Sequence, residues 1–239
     1  MSRHTDFILS PITSILQEVV YANSCIGNGI ETYPLSDYIL QAVFLKMTGF
    51  QEQKMKCICW DIATNDYEYR YDRYSNKTLG ECSKFAEKNM IYIDLLKQIK
   101  KYNPSFVLAT EINKVAIQTS TIDFIREIFT NSNLSSIDQR SLLEFLTDNT
   151  ILNDTQFLEP TALLQTELQE KYKQLYTHRN RSAHNTQSYQ ENLPTLTTLF
   201  DKKYKYDNYF VRFAILILID TIFIELYNIY LDGLKENFV

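Results

Sequence analysis

Only five glycines and five prolines punctuate the 239 residues of this chain. Hairpins, sandwiches and barrels need residues that supply positive or fixed φ at every reversal, so a chain this poor in them has few places to turn. Long helices are the expected solution. Ile8, Ile12, Ile15, Leu16, Val19 and Val20 recur at a helical period within residues 6–23. Ser36 reads as the N-cap of a second helix carrying Tyr38, Ile39, Ala42, Val43 and Leu45, whose extension past Gly49 to Ile62 stays open. Further helices are expected over 79–102, over 105–130, over 137–147 behind a Ser136 cap, over 159 to about 183 with Pro160 in the first turn, and over roughly 206–235. The stretch TNDYEYRYDRYSNK, 64–77, has no helical stripe and reads as a short hairpin or solvated loop; NTQSYQENLP, 185–194, breaks the helical pattern. The expected fold is all-α and a single domain, 1–239, with a possible N-terminal helical subdomain up to about Tyr102.

Residues 213–231, FAILILIDTIFIELYNIYL, are the most membrane-like segment. Asp220 and Glu225 interrupt it, and a carboxylate near a bilayer centre costs about 2.5–3.5 kcal/mol. A buried core helix is expected instead. The two acids are five residues apart, so they do not share one narrow polar stripe, and at least one is expected to face an interior partner or a subunit interface. The net charge of −5 and pI near 5.3 argue against a surface that grips nucleic acid everywhere, so any polyanion contact must be local. Cys25, Cys57, Cys59 and Cys82 form neither a disulfide framework nor a zinc-site spacing and read as core or free thiols. The N-terminal stretch lacks a signal-peptide pattern, and a reducing cytoplasm is expected.

Residues 176–185, YTHRNRSAHN, hold two of the three histidines beside two arginines. On a helix, Asn180 and Arg181 share a face with His184 at i,i+4 and i,i+3, whereas Arg179, five residues from His184, sits about 140° around the axis. The arginines lower the imidazole pKa and a helix C-terminus raises it; a balance near neutrality suits proton transfer both ways. A fixed guanidinium, a tunable imidazole and a polar amide supply what metal-free phosphodiester cleavage needs when the nucleophile is the 2′-hydroxyl of RNA itself. The chain contains no nucleophile elbow, P-loop, H-E-x-x-H or dinucleotide fingerprint.

Arg179-Asn180-Arg181-Ser182-Ala183-His184 resembles the R-x4-6-H signature of HEPN domains, including the polar residue that often follows the arginine. The motif covers six residues, and a helical core over 104–239 is compatible with the family. The resemblance implies a helical bundle of HEPN type with additional N-terminal helices, dimerising to set two motifs face to face in one metal-independent ribonuclease site without a cofactor. It implies Arg179 as the phosphate-stabilising arginine, Asn180 as the polar helper and His184 as the catalytic histidine. His178 and Arg181 have no fixed place in the signature and are candidate RNA contacts. The HEPN toxins paired with nucleotidyltransferase antitoxins carry a tyrosine two residues after the histidine, where this chain has Thr186, with Tyr189 nearby. Three readings stay open: a HEPN endoribonuclease acting as a defence or toxin effector, with a regulatory partner protein among its expected contacts; a catalytically silent HEPN-fold module that binds RNA, nucleotides or a protein; and a helical interaction module whose motif is coincidental.

Overall fold

The structure is a computed structural model that describes residues 4–27, 29–76, 82–148, 151–184 and 207–237; the side chains of Asn76, His184 and Asn237 lie outside the description. The architecture is all-α. Among the described residues the helices, in chain order, are α1 (Thr5–Leu9), α2 (Thr13–Ala22), α3 (Tyr33–Asn65), α4 (Tyr67–Asn76), α5 (Phe85–Tyr102), α6 (Leu108–Glu111), α7 (Lys114–Thr130), α8 (Gln139–Thr147), α9 (Thr166–His184) and α10 (Tyr209–Asn237), with short 3-10 turns between some of them. One two-stranded hairpin, β1 (Phe157–Glu159) and β2 (Ala162–Leu164), precedes α9.

Helix α10 is the axis of the molecule. It is apolar nearly all round, as a buried helix should be, and packs against α1, α3, α5, α7, α8 and α9. No described helix is long and apolar enough to cross a membrane. The buried residues of the N-terminal helices and those beyond Tyr102 join in one cluster around it. Of the two acids, Asp220 is the one that turns inward: it is 2% exposed and accepts from Lys54 Nζ at 2.7 Å and from the Ile12 amide at 2.9 Å. A second buried carboxylate, Asp61, accepts the Tyr227 hydroxyl.

Helix α3 settles the open extension: it runs through Gly49 to Asn65, about 50 Å at 1.5 Å per residue. Its core stripe is Leu40, Val43, Phe44, Met47, Gln51, Lys54, Met55, Ile58 and Ile62. Pro34 occupies the first turn, so Ser36 lies inside the helix rather than capping it.

Several boundaries differ from the sequence expectation for identifiable reasons. Residues 6–23 form two helices broken before Pro11. The tyrosine-rich stretch expected as a hairpin or loop is α4: Asp66 is extended, its Oδ1 accepts the Tyr69 amide at 3.1 Å, and this N-cap starts a helix where the apolar pattern is silent. The expected 105–130 helix is split, because Ile112 is extended and the Asn113 side chain caps α7 through the Ala116 amide. Asp138, not Ser136, caps α8. Pro160 lies in the hairpin turn, and α9 begins only at Thr166. The hairpin is pinned to α5, with Asn89 Oδ1 accepting the Leu163 amide at 2.7 Å and the Tyr92 hydroxyl donating to the Glu159 carbonyl at 2.8 Å. Residues 79–81 and the stretch 185–194 lie outside the described residues.

Candidate functional site

Helix α9 is held by Leu168, Tyr172 and Leu175, a buried stripe at i, i+4 and i+7. The Tyr172 hydroxyl donates to the Ser83 carbonyl at 2.8 Å and fixes the helix to the segment before α5. Arg179 lies seven residues beyond Tyr172, two turns further along the same face, and therefore meets α3. Its Nη2 lies 3.2 Å and 3.3 Å from the two carboxylate oxygens of Glu52, and its Nη1 donates to Asn180 Oδ1 at 3.2 Å. Arg179 is 19% exposed and Glu52 13%. A guanidinium has five N–H donors, so these contacts orient it without exhausting it.

Glu52 was absent from the sequence reading, because it lies 127 residues away from Arg179. Its neighbours carried a signal: Gln51 and Lys54 fall in the core stripe of α3, where apolar side chains belong, and polar groups there need partners. Gln51 Nε2 donates to the Leu216 carbonyl at 2.8 Å, and Lys54 takes Asp220.

The expected residues divide. Arg179 and Asn180 are brought together. Arg181 is exposed. His178 turns inward: its ring lies 5.5 Å from those of Phe44 and Tyr209, and Nε2 has no hydrogen-bond partner among the described residues. An imidazole inside this aromatic cluster is not displayed to a nucleic acid strand. Burial, with Arg212 and Arg181 adding like charge, pushes His178 down to about 3; the neighbouring arginine of the motif is thus a lesser cause than desolvation. Helix α9 keeps α-helical backbone through His184, so the Cα of His184 is about 140° around the axis from that of Arg179. The His184 side chain, Thr186 and Tyr189 lie outside the described residues.

In comparisons by sequence and by structure, no protein-family model, no curated protein and no solved structure matches the chain. Among the described residues no group of His, Cys, Asp or Glu is arranged to hold a metal ion.

His178 carries a stability prediction. Above the ordinary value of 6.5 the imidazole is neutral in folded and unfolded chains alike. Below it the unfolded chain takes up a proton that the folded chain refuses until about 3, so stability is lost on acidification across that window, by up to roughly 1.4 kcal/mol per pH unit. His178→Phe, which suits the aromatic surroundings, is expected to match wild type near pH 7.5 and to exceed it in thermal unfolding at pH 4.5. A difference between the two proteins that is the same at both pH values would refute the assignment.

Proposed function

We propose that this chain is a metal-independent endoribonuclease of HEPN type, cleaving single-stranded RNA at a site composed from two copies of the chain. The observation that carries the reading is the Arg179 guanidinium, oriented by Glu52 and joined to Asn180 at the end of α9, one turn before His184 in the R-x4-H motif.

Two copies suit the chemistry. One His184 imidazole takes the proton of a ribose 2′-hydroxyl as its oxygen attacks the adjacent phosphorus. The P–O5′ bond breaks, and the other His184, as imidazolium, gives its proton to the departing 5′-oxygen. The products are a 2′,3′-cyclic phosphate and a 5′-hydroxyl end. Arg179 offsets the charge that builds on the non-bridging oxygens, and a donor held by a carboxylate needs no reorganisation at that moment. The 140° offset between Arg179 and His184 along one helix is a reason for a second copy to complete the groove. Arg181, exposed on the same helix, is the RNA contact in this reading. Cys25, Cys57, Cys59 and Cys82 form no disulfide, which suits a reducing cytoplasm, and a nuclease of this kind fits a defence or toxin effector held in check by a regulatory partner.

One observation favours the alternative, a catalytically silent HEPN-fold module that binds RNA or nucleotides or holds a protein: Glu52 already neutralises Arg179 within the chain. The test is cleavage of single-stranded RNA by the purified full-length protein in excess EDTA, with sedimentation to establish the dimer. Nuclease action predicts cleavage that Arg179→Ala abolishes; a wild-type protein that binds RNA under these conditions and never cuts it is the silent module. Glu52→Gln separates orientation from charge. It is expected to lower kcat about ten- to a hundred-fold through a misplaced guanidinium while RNA affinity holds or rises, since a carboxylate leaves the groove. Equal loss of both parameters would reduce Glu52 to a support of the fold.

A further inference from the structure

Beneath Arg179, helices α3, α5 and α9 leave a small recess lined by Gln51, Glu52, Lys88, Tyr172, Tyr176 and Arg179. It has room for about one water-sized atom group and is partly open to solvent. Lys88 is 1% exposed, yet its ammonium donates no hydrogen bond to any described residue; the Tyr172 ring, with its centroid 6.0 Å from Nζ, is its contact. Nearby acceptors are committed elsewhere. The Tyr172 hydroxyl faces Ser83, Glu52 faces Arg179, and Asp220 faces Lys54. Gln51 Oε1, in the same lining, is a buried atom without a partner among the described residues.

A buried ammonium without an acceptor is costly, and retention of one at a recess points to an acceptor that arrives from outside. The charged residues lining the recess are Lys88 and Arg179 against Glu52; Asp220, which is paired with Lys54, and Glu87 act on Lys88 from outside the lining. Within the lining, one carboxylate faces two cations. We propose that Lys88 is the second cation of a phosphoryl-binding site, receiving one non-bridging phosphate oxygen into the recess while Arg179 holds the rest of the group. The size of the recess admits one oxygen and excludes a whole phosphate. Burial pushes the Lys88 ammonium down to about 8, with Glu52 the strongest opposing charge, and a phosphate oxygen against it would hold it protonated at neutral pH.

The proposal rests on the nuclease reading only for the source of the phosphoryl group, an RNA backbone rather than a free phosphate monoester. The test uses the full-length protein, a 2′-O-methyl single-stranded oligonucleotide without terminal phosphates, which cannot be cleaved, and inorganic phosphate in a separate arm. Lys88→Met keeps the length of the side chain and removes a buried charge, so it is expected to hold or raise the Tm. The variant should bind the oligonucleotide about ten- to a hundred-fold more weakly, and its salt dependence should lose about 0.7 from the log–log slope, the share of one phosphate contact on a single strand. Wild-type and Lys88→Met proteins that bind the oligonucleotide equally, with the same salt slope, would overturn the proposal, as would a wild type that binds neither probe. A fall in Tm for Lys88→Met with unchanged affinity would assign Lys88 to the fold and also overturn it. Protection of wild type by inorganic phosphate, lost in Lys88→Met, without binding of the oligonucleotide would uphold the phosphoryl site while removing RNA as its source, and with it the nuclease reading.

Discussion

His184→Ala is expected to lower the rate of RNA cleavage by about 10²–10⁴-fold, the usual worth of a positioned general acid or base, while leaving RNA affinity nearly intact. The asymmetry follows from what each group supplies. A general acid or base acts chiefly as the proton moves in the transition state, whereas Arg179 and Arg181 hold the phosphate already in the ground-state complex. Arg179→Ala is expected to lose affinity and rate together, and Arg179→Lys to recover charge without the fork that spans Glu52 and Asn180. Single-turnover cleavage alongside anisotropy titration separates these cases. A His184→Ala protein that cuts within threefold of wild type would remove the imidazole from the mechanism.

The largest expected effect on stability lies elsewhere. Asp220→Ala strips the carboxylate from a Lys54 side chain that is 1% exposed and leaves the Ile12 amide without its acceptor. Breaking a buried ion pair by removing one partner costs about 3–5 kcal/mol, and for a chain of this size each kcal/mol lowers Tm by roughly 2–4 °C. A fall of about 6–20 °C is expected. Lys54→Met should cost a comparable amount, because Asp220 then stays buried with the Ile12 amide as its remaining donor. The double replacement Lys54→Met with Asp220→Leu is expected to recover most of the loss, since two apolar side chains leave neither charge stranded. Thermal and urea unfolding of the three variants decide this; single variants within 1 kcal/mol of wild type would show that water reaches the pair.

How far the sequence carried depended on whether a feature was local. Helix α10 was legible because an apolar run cut by Asp220 and Glu225 fits a core better than a bilayer; that at least one of the acids turns inward was legible because two carboxylates five apart cannot share a stripe, but which one was not. The Arg179–His184 spacing was legible for the same reason. Helix α4 was not, since its start is set by one side chain, Asp66, and its stability by packing on α3 rather than by an apolar face of its own. Pro160 fits a helix start and a hairpin turn equally well until Asn89 and Tyr92 of α5 are in place to receive the strands. Glu52 and Lys88 belong to helices α3 and α5, far from the motif in sequence, and only the packing of α9 across both reveals them as neighbours of Arg179. The polar residues Gln51 and Lys54 within an otherwise apolar stripe were the one local trace of that arrangement.

The central claim is that the 2′-hydroxyl of the substrate is the nucleophile and that protein side chains alone supply the rest. Its most direct test is a matched pair of single-stranded substrates, one all-ribose and one with 2′-deoxyribose at the cleaved position, incubated with full-length protein in EDTA and resolved by mass spectrometry. The account predicts a 2′,3′-cyclic phosphate and a 5′-hydroxyl from the first substrate and no cut at that position in the second. Cleavage of the deoxy-substituted strand at the same position, or no cleavage of either strand until a divalent metal is added, would contradict it.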